Sequence, residues 1–558
     1  MFTLGPTYPN TLFGRLRRVG SALARESRPI DHLVSPIRRP LDRAYYGYAG
    51  RLRELGRLGG SVKSVRSTAS GKRVLVLSLR MWTPHTAYES VLAQALRLRG
   101  AEVALLTCGG GLPICEVGWG RRTAPRPCDR CAWFTDRVAS RGDFPPLRIA
   151  DDLPWGSSPR RAPSERNGLP AVTPRDAGFS STAWFTKSGD PTEARDGTAV
   201  ENDFDVSVAA VETAFEKILD RVRPDVVLAL NGLFAAERTV RAVAADHGVR
   251  VVTYEKAPRK GTLLFAQNGA APEMVTDALA EDQRSRPLTE DEGAALDALL
   301  LGRVTGASAH DQYFDRPLDH AAEAVREALE IPQGARVVSA FTNLAWDTAL
   351  LGRDVAYESQ FDWLAQTCEV VAGRDDSLLV IRVHPAESRW GTAQPVESEL
   401  AARVGELPSN VLLVRPDEPL SSYGLLAISD LVLCYTTTVG LEAAVRGIPV
   451  AVAGRAHYRG RGFTIDLESQ ADLLRAVVDP QTMSDEQIEL ARRYAFAFFF
   501  RLMIPFTHVQ TVGDRLKAIT TSAEELLPGR DPYLDFICDR ILDGGDVFLP
   551  PGLAVPTV

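Results

Sequence analysis

The chain has 558 residues, 45% hydrophobic and 24% charged, a globular balance that excludes a disordered or low-complexity class and is too long for one ordinary domain. No apolar run reaches bilayer-spanning length and no signal-peptide hydrophobic region opens the chain, so a cytoplasmic protein is expected. Residues 1–73 hold fifteen Lys/Arg and four Asp/Glu, a local charge of +11 within an overall −7, so the remainder carries −18 and argues against a nucleic-acid partner.

Residues 1–70 read as a basic, partly helical N-terminal extension. Within it Leu12, Leu16, Val19 and Leu23 recur at helical spacing beside Arg15, Arg17 and Arg18. A basic amphipathic helix over 12–28 can lie on an anionic membrane surface, which predicts peripheral contact at the inner face of the membrane. A first α/β domain is expected over 71–330. "KRVLVLSLR" (72–80) predicts a strand, "AYESVLAQALRLRG" (87–100) an amphipathic helix closed by Gly100, and "AEVALLTCGGG" (101–111) a second strand. Cys108, Cys115, Cys128 and Cys131 follow with spacings of 6, 12 and 2 residues, and four thiolates ending in C-x2-C could hold a structural zinc tetrahedrally. Residues 140–200, rich in Pro, Arg, Ser and Asp, predict an irregular insertion. The alternation then resumes with a helix over 207–224, a strand over 225–232, a helix over 234–248 and a strand over 249–257. Helices over 288–304 and 319–331 bridge to a second unit.

That second unit is expected over 331–483, with strands at 335–343, 377–385, 410–416, 430–438 and 448–454 and a helix at 361–373. Residues 484–558 read as C-terminal helices and tail, the first helix over 484–505 crossing back toward the first half. The expected fold class is therefore α/β: two Rossmann-like domains whose parallel sheets face an interdomain cleft, plus the basic extension; this is the GT-B type of architecture, and by pattern alone other two-domain α/β enzymes fit as well.

The most informative stretch is "LCYTTTVGLEAAVRGIPVAVAG" (433–454). A helix opening near Thr438 aims unpaired N–H groups and its dipole at the cleft, and Thr436, Thr437 and Thr438 add hydroxyls there, a pattern suited to phosphate. Glu442, one turn further, could accept from a ribose diol. "RVHPAESRW" places Arg382, His384 and Glu387 at a strand end, with His384 held beside a proline of fixed φ. "FTNLAWDTAL" clusters Thr342, Asn343, Trp346 and Asp347 after the first strand of the second unit. The glycine-flexed loop "AGRAHYRGRGFT" offers Arg455, His457, Tyr458, Arg459 and Arg461 for a departing diphosphate.

These three motifs, "RVHPAE", "FTNLAWD" and "YTTTVGLEAAVRGIPVAVAGRAHYRGRGFT", resemble bacterial capsule-polysaccharide biosynthesis glycosyltransferases. The His-Pro pair followed by a hydroxyl cluster is also similar to the motifs of bacterial sialyltransferases and Kdo transferases. The resemblance is specific over 335–465. It implies a nucleotide-sugar donor (UDP- or CMP-type), a glycan, lipid-linked or natural-product acceptor, His384 on the nucleotide, and no metal needed for catalysis. The carboxylate-carboxylate-glycine motif that supplies the base in those sialyltransferases has no clear counterpart here. A base is therefore expected from the first half, where His85 and Glu89 follow the first strand and Asn231, Glu237, Glu255 and Lys260 end on the same edge as acceptor contacts or base. Three alternatives share the two-domain cleft: a nucleotide-sugar 2-epimerase, a polyol-phosphate polymer transferase, and a non-catalytic nucleotide-sugar-binding scaffold.

Overall fold

A computed structural model describes residues 48–65, 70–118, 128–158, 176–274, 277–306, 318–348, 350–513, 515–550 and 553. The segment 12–28, and with it the expected membrane contact, lies outside the described residues. Among the described residues no helix is long and apolar enough to cross a membrane.

Two sheets organise the molecule. The first contains β1 (Arg73–Leu77), β2 (Glu102–Thr107), β3 (Pro146–Arg148), β4 (Val226–Leu230), β5 (Arg250–Lys256) and β6 (Thr262–Gln267). The second contains β7 (Arg336–Phe341), β8 (Ser377–Arg382), β9 (Val411–Val414), β10 (Leu431–Cys434), β11 (Val450–Val452) and β12 (Ile465–Asp466). A short β13 (Ile504–Pro505) returns to the first sheet, and β14 (Val509–Val512) with β15 (Arg515–Ile519) forms a separate hairpin. The first sheet has the order β13-β6-β5-β4-β1-β2-β3, the second β12-β11-β10-β7-β8-β9. The second sheet is parallel throughout; in the first, β6 and β13 run antiparallel at one edge. This is the expected pair of Rossmann-like units, and its cause is visible in the strands. Val74–Leu77, Val226–Leu230 and Leu431–Cys434 are buried on both faces, so they read as continuous apolar runs, as parallel strands covered by helices do.

Strand order decides where loops can open. In the first sheet β1 sits between β4 and β2; in the second β7 sits between β10 and β8. The chain winds in opposite directions from each central strand, so the loops after β1 and β4, and after β7 and β10, separate at the carboxyl edge and leave a crevice. The loops after β1, β4, β7 and β10 are the stretches that begin at Ser78, Asn231, Thr342 and Tyr435.

The insertion is less irregular than its composition suggests. It supplies β3 to the sheet and a helix over Phe179–Thr186, and the long helix begins already at Gly197 rather than at 207. The short β3 pairs with β2 from Leu105 to Thr107, a backbone match that side-chain periodicity over three residues cannot signal. The tail is also not separate. The helix Asp485–Phe496 runs into a π-helical turn at Ala497–Leu502, and β13 then joins β6. Ile504, Phe506, Leu516, Leu534, Ile537 and Ile541 enter the same core as β1 and β4.

At the start of the helix Val439–Val445, the buried Tyr458 hydroxyl donates to the Thr437 carbonyl at 2.6 Å, fixing the turn from beneath. A Cβ on Gly440 would stand 2.2 Å from that hydroxyl and 3.1 Å from Cys434 Sγ. Because Tyr458 is fully buried it has no room to retreat. Gly440→Ala is therefore expected to lose about 1–3 kcal/mol of stability, the usual cost of overpacking; urea unfolding indistinguishable from wild type would contradict this packing.

Candidate functional site

The first sheet's edge is built around a buried cation. Arg80, three residues beyond β1, is held by Glu116 at 2.6 Å and by both carboxylate oxygens of Glu237. Ser181 donates to Glu116 and accepts from the Ala235 amide at 2.7 Å, so the Phe179–Thr186 helix is tied to the same network. Glu237 is thus fully engaged and does not serve as base or acceptor contact, contrary to expectation. A carboxylate bidentate to a buried guanidinium cannot leave it without exposing an uncompensated charge.

Beside this anchor, Tyr254 of β5 donates to Glu89 Oε1 at 2.9 Å and lies 3.5 Å from His85 Nδ1. Burial pushes the Glu89 carboxyl up to about 7. Burial, with Lys256 and Arg80 nearby, pulls His85 down to about 3. A histidine that weakly basic stays neutral at physiological pH and is a poor proton acceptor. Glu255 ends β5 half-buried. It accepts from Asn231 Nδ2 at 2.9 Å and from the Lys256 amide at 2.8 Å. Burial raises its pKa, and so, to a smaller extent, does the charge of Asp347 from the second half. Lys260, by contrast, sits on the exposed β5–β6 turn and lines a different cavity.

On the second sheet, the Thr342 hydroxyl accepts the His384 amide at 3.0 Å, and Asn343 Oδ1 accepts the Thr436 amide at 3.3 Å, linking the loops after β7, β8 and β10. His384 Nδ1 accepts the Ala386 amide at 3.1 Å. Burial and Arg382 pull its pKa down to about 4, so the neutral ring carries its proton on Nε2, a donor. Thr436, Thr437 and Thr438 are half-buried, and Thr436 Oγ1 is a buried hydroxyl without a hydrogen-bond partner among the described residues. A lone buried hydroxyl is costly unless something else satisfies it.

Four other expected donor contacts are structural. Arg382 is buried and directs its guanidinium to the carbonyls of Arg415, Glu418 and Leu420. Glu387 accepts the Val396 amide, opening the next helix from inside the fold. Glu442 is fully buried and paired with Arg303 at 2.9 Å, so it cannot reach a ribose. Tyr458 supports the turn as described above. His457 is stacked 4.0 Å from the Phe498 ring and within 3.0 Å of the Tyr494 hydroxyl, while Arg455 is exposed and Arg461 half-buried.

Sequence reading missed Lys187. Its ammonium lies 3.5 Å from the Trp184 ring, 3.8 Å from Trp346 and 5.5 Å from Trp390, joining the two halves. Burial pulls it down to about 6 against the opposing charge of Asp347, while the ring faces favour the cation. Trp346 is thereby buried in this junction, with its Nε1 donating to Thr392 at 3.0 Å, rather than open to a donor. Gln394 reinforces the junction, accepting from Ser188, Gly189 and Asp190. A lysine among dispersed tryptophans leaves no periodic signal in the sequence.

Among the described residues, no three His, Cys, Asp or Glu side chains are gathered as a metal requires. Cys108, Cys115, Cys128 and Cys131 are free thiols; burial first, and then neighbouring thiols, raise the pKa of Cys115 and Cys131.

Residues 347–494 match the family model described as Capsule polysaccharide biosynthesis protein, the family whose likeness the motifs of this segment carry. No curated protein matches the chain. Among solved structures, a beta Kdo 2,4 transferase, KpsC of Thermosulfurimonas dismutans, is 16% identical, with 55% of this chain and 87% of that chain covered at a TM-score of 0.35. A putative UDP-N-acetylglucosamine 2-epimerase from Listeria monocytogenes is 13% identical, with 75% and 90% covered at 0.28. Scores this low carry no residue-by-residue correspondence.

His384 is expected to stay neutral, protonated on Nε2, from pH 5 to 8 when followed by nitrogen-detected NMR of the imidazole ring. A titration midpoint near the ordinary histidine value of about 6.5 would contradict its buried setting.

Proposed function

We propose that the protein is a glycosyltransferase of GT-B type that moves a sugar from a UDP- or CMP-type donor to a hydroxyl of a glycan or lipid-linked acceptor. The observation that carries the reading is the orphaned Thr436 hydroxyl. It belongs to the residue whose amide Asn343 holds, at the second sheet's switch point and in the segment that matches the capsule family model. A phosphate oxygen there would accept from Thr436 and from the His384 Nε2–H. The exposed Arg455 and half-buried Arg461 add positive charge for the departing nucleotide.

The acceptor approaches from the first sheet. Its oxygen attacks the anomeric carbon, the bond from that carbon to the phosphate oxygen breaks with its electron pair, and the acceptor proton passes to Glu255. Glu255 is chosen over His85 because burial has strengthened the first as a base and weakened the second. Glu89 faces inward and holds the Tyr254 hydroxyl, which stands 3.5 Å from His85 Nδ1.

Thr436→Val should leave the ligand-free melting temperature unchanged, since no hydrogen bond is lost. It should weaken nucleotide-sugar binding about tenfold or more, the worth of a hydrogen bond to a charged oxygen. Undiminished binding in a thermal-shift panel of UDP- and CMP-sugars would overturn the phosphate site. Glu255→Gln should lower kcat by about a hundredfold or more with donor KM unchanged. In the wild type the carboxylate must be deprotonated to act, so the acidic limb of kcat/KM should lie above the ordinary carboxylate range and vanish in the variant. Release of an epimerised nucleotide sugar without acceptor would instead identify an epimerase.

A further inference from the structure

Outside the cleft, a cavity of about 960 Å³ opens between the β5–β6 turn, the β13–β14 connection and the start of the helix Pro532–Asp543. Its size lies within the range of ligand sites, roughly 300–1,000 Å³. Its walls balance charge. Arg259, Lys260 and Arg530 supply donors, and Glu524, Glu525 and Asp531 supply acceptors. Such a surface suits a ligand whose groups both donate and accept, as sugar hydroxyls do. A phosphate would meet as many carboxylates as cations.

Parts of the wall are rigid. Arg259 is buried, donates to the Met503 carbonyl at 3.0 Å and lies over the Phe500 ring at 4.8 Å. His508 is buried with Nε2 3.0 Å from Asp531 and Nδ1 3.1 Å from the Thr521 hydroxyl. Tyr533 adds a half-buried ring on which the C–H face of a sugar can stack. The cavity opens at the turn that follows β5, at the same end of that strand as Glu255. Between it and His85 the side chains of Tyr88, Phe506 and His508 pack ring to ring, at 6.1, 5.8 and 5.3 Å in turn.

We propose that this cavity is a carbohydrate subsite for an uncharged oligosaccharide. On the transferase reading, on which this assignment rests, the ligand is the far part of an acceptor chain whose near end reaches Glu255. The test is a glycan array of neutral, sulfated and phosphorylated oligosaccharides, probed with the full-length protein and with Tyr533→Ala and Lys260→Glu. Capture of neutral oligosaccharides by the wild type, reduced at least tenfold in both variants while the nucleotide-sugar thermal shift is unchanged, is the expected result. No capture, capture that both variants retain, or capture of phosphorylated or sulfated glycans alone would overturn it. Lys260 is exposed on a turn, so its variant reads the site even if Tyr533→Ala folds poorly. Neutral-glycan capture without any nucleotide-sugar shift would sink the transferase reading and leave the subsite standing.

Discussion

Parallel strands deliver their carboxyl ends to one edge, and that constraint governs everything else in this molecule. β1 and β7 are central strands from which the chain winds outward both ways, so the loops that follow them and their neighbours β4 and β10 cannot close over the sheet. Of the groups given a part in transfer, Asn343 and Thr436 stand on those loops, His384 on the loop after β8, and Arg455 and Arg461 on the loop after β11. Glu255 itself stands at the end of β5, one strand further out. Beside the crevice the two halves meet at Trp184 and Trp346, whose ring centroids are 6.5 Å apart.

Buried ion pairs hold these loops in place. Arg80 with Glu116 and Glu237 secures the loop after β1 to the helix after β4 and, through Ser181, to the former insertion. Arg303 with Glu442 locks the helix behind the threonine turn. Such pairs are weak evidence for net stability, because desolvation offsets their attraction. Their directional geometry instead restricts which arrangement the loops can take. The caged Lys187 does the same across the junction between the halves, where an aromatic row from Trp82 through Trp184 to Trp346 and Trp390 is continuous.

The fates of the expected site residues follow from direction. Thr436, His384, Asn343 and Glu255 lie where strand ends meet the crevice, and a reading of strand ends finds them. Arg382, Glu387, Glu442 and Glu237 are neighbours in sequence and equally polar, yet each turns inward to a carbonyl, an amide or an arginine supplied from elsewhere. Side-chain direction at a strand end depends on which partner arrives from a distant segment, and no local pattern encodes that.

By itself the sequence determined the alternation of strands and helices, the two Rossmann-like units and the motif that matches the capsule family, because apolar periodicity and short turn chemistry are local properties. Tertiary structure alone decided which charged groups face the cleft, that residues 504–549 belong to the first half's core, and that Lys187 and three tryptophans seal the junction. Those outcomes depend on contacts between segments hundreds of residues apart, whose energies arise only once the sheets have packed.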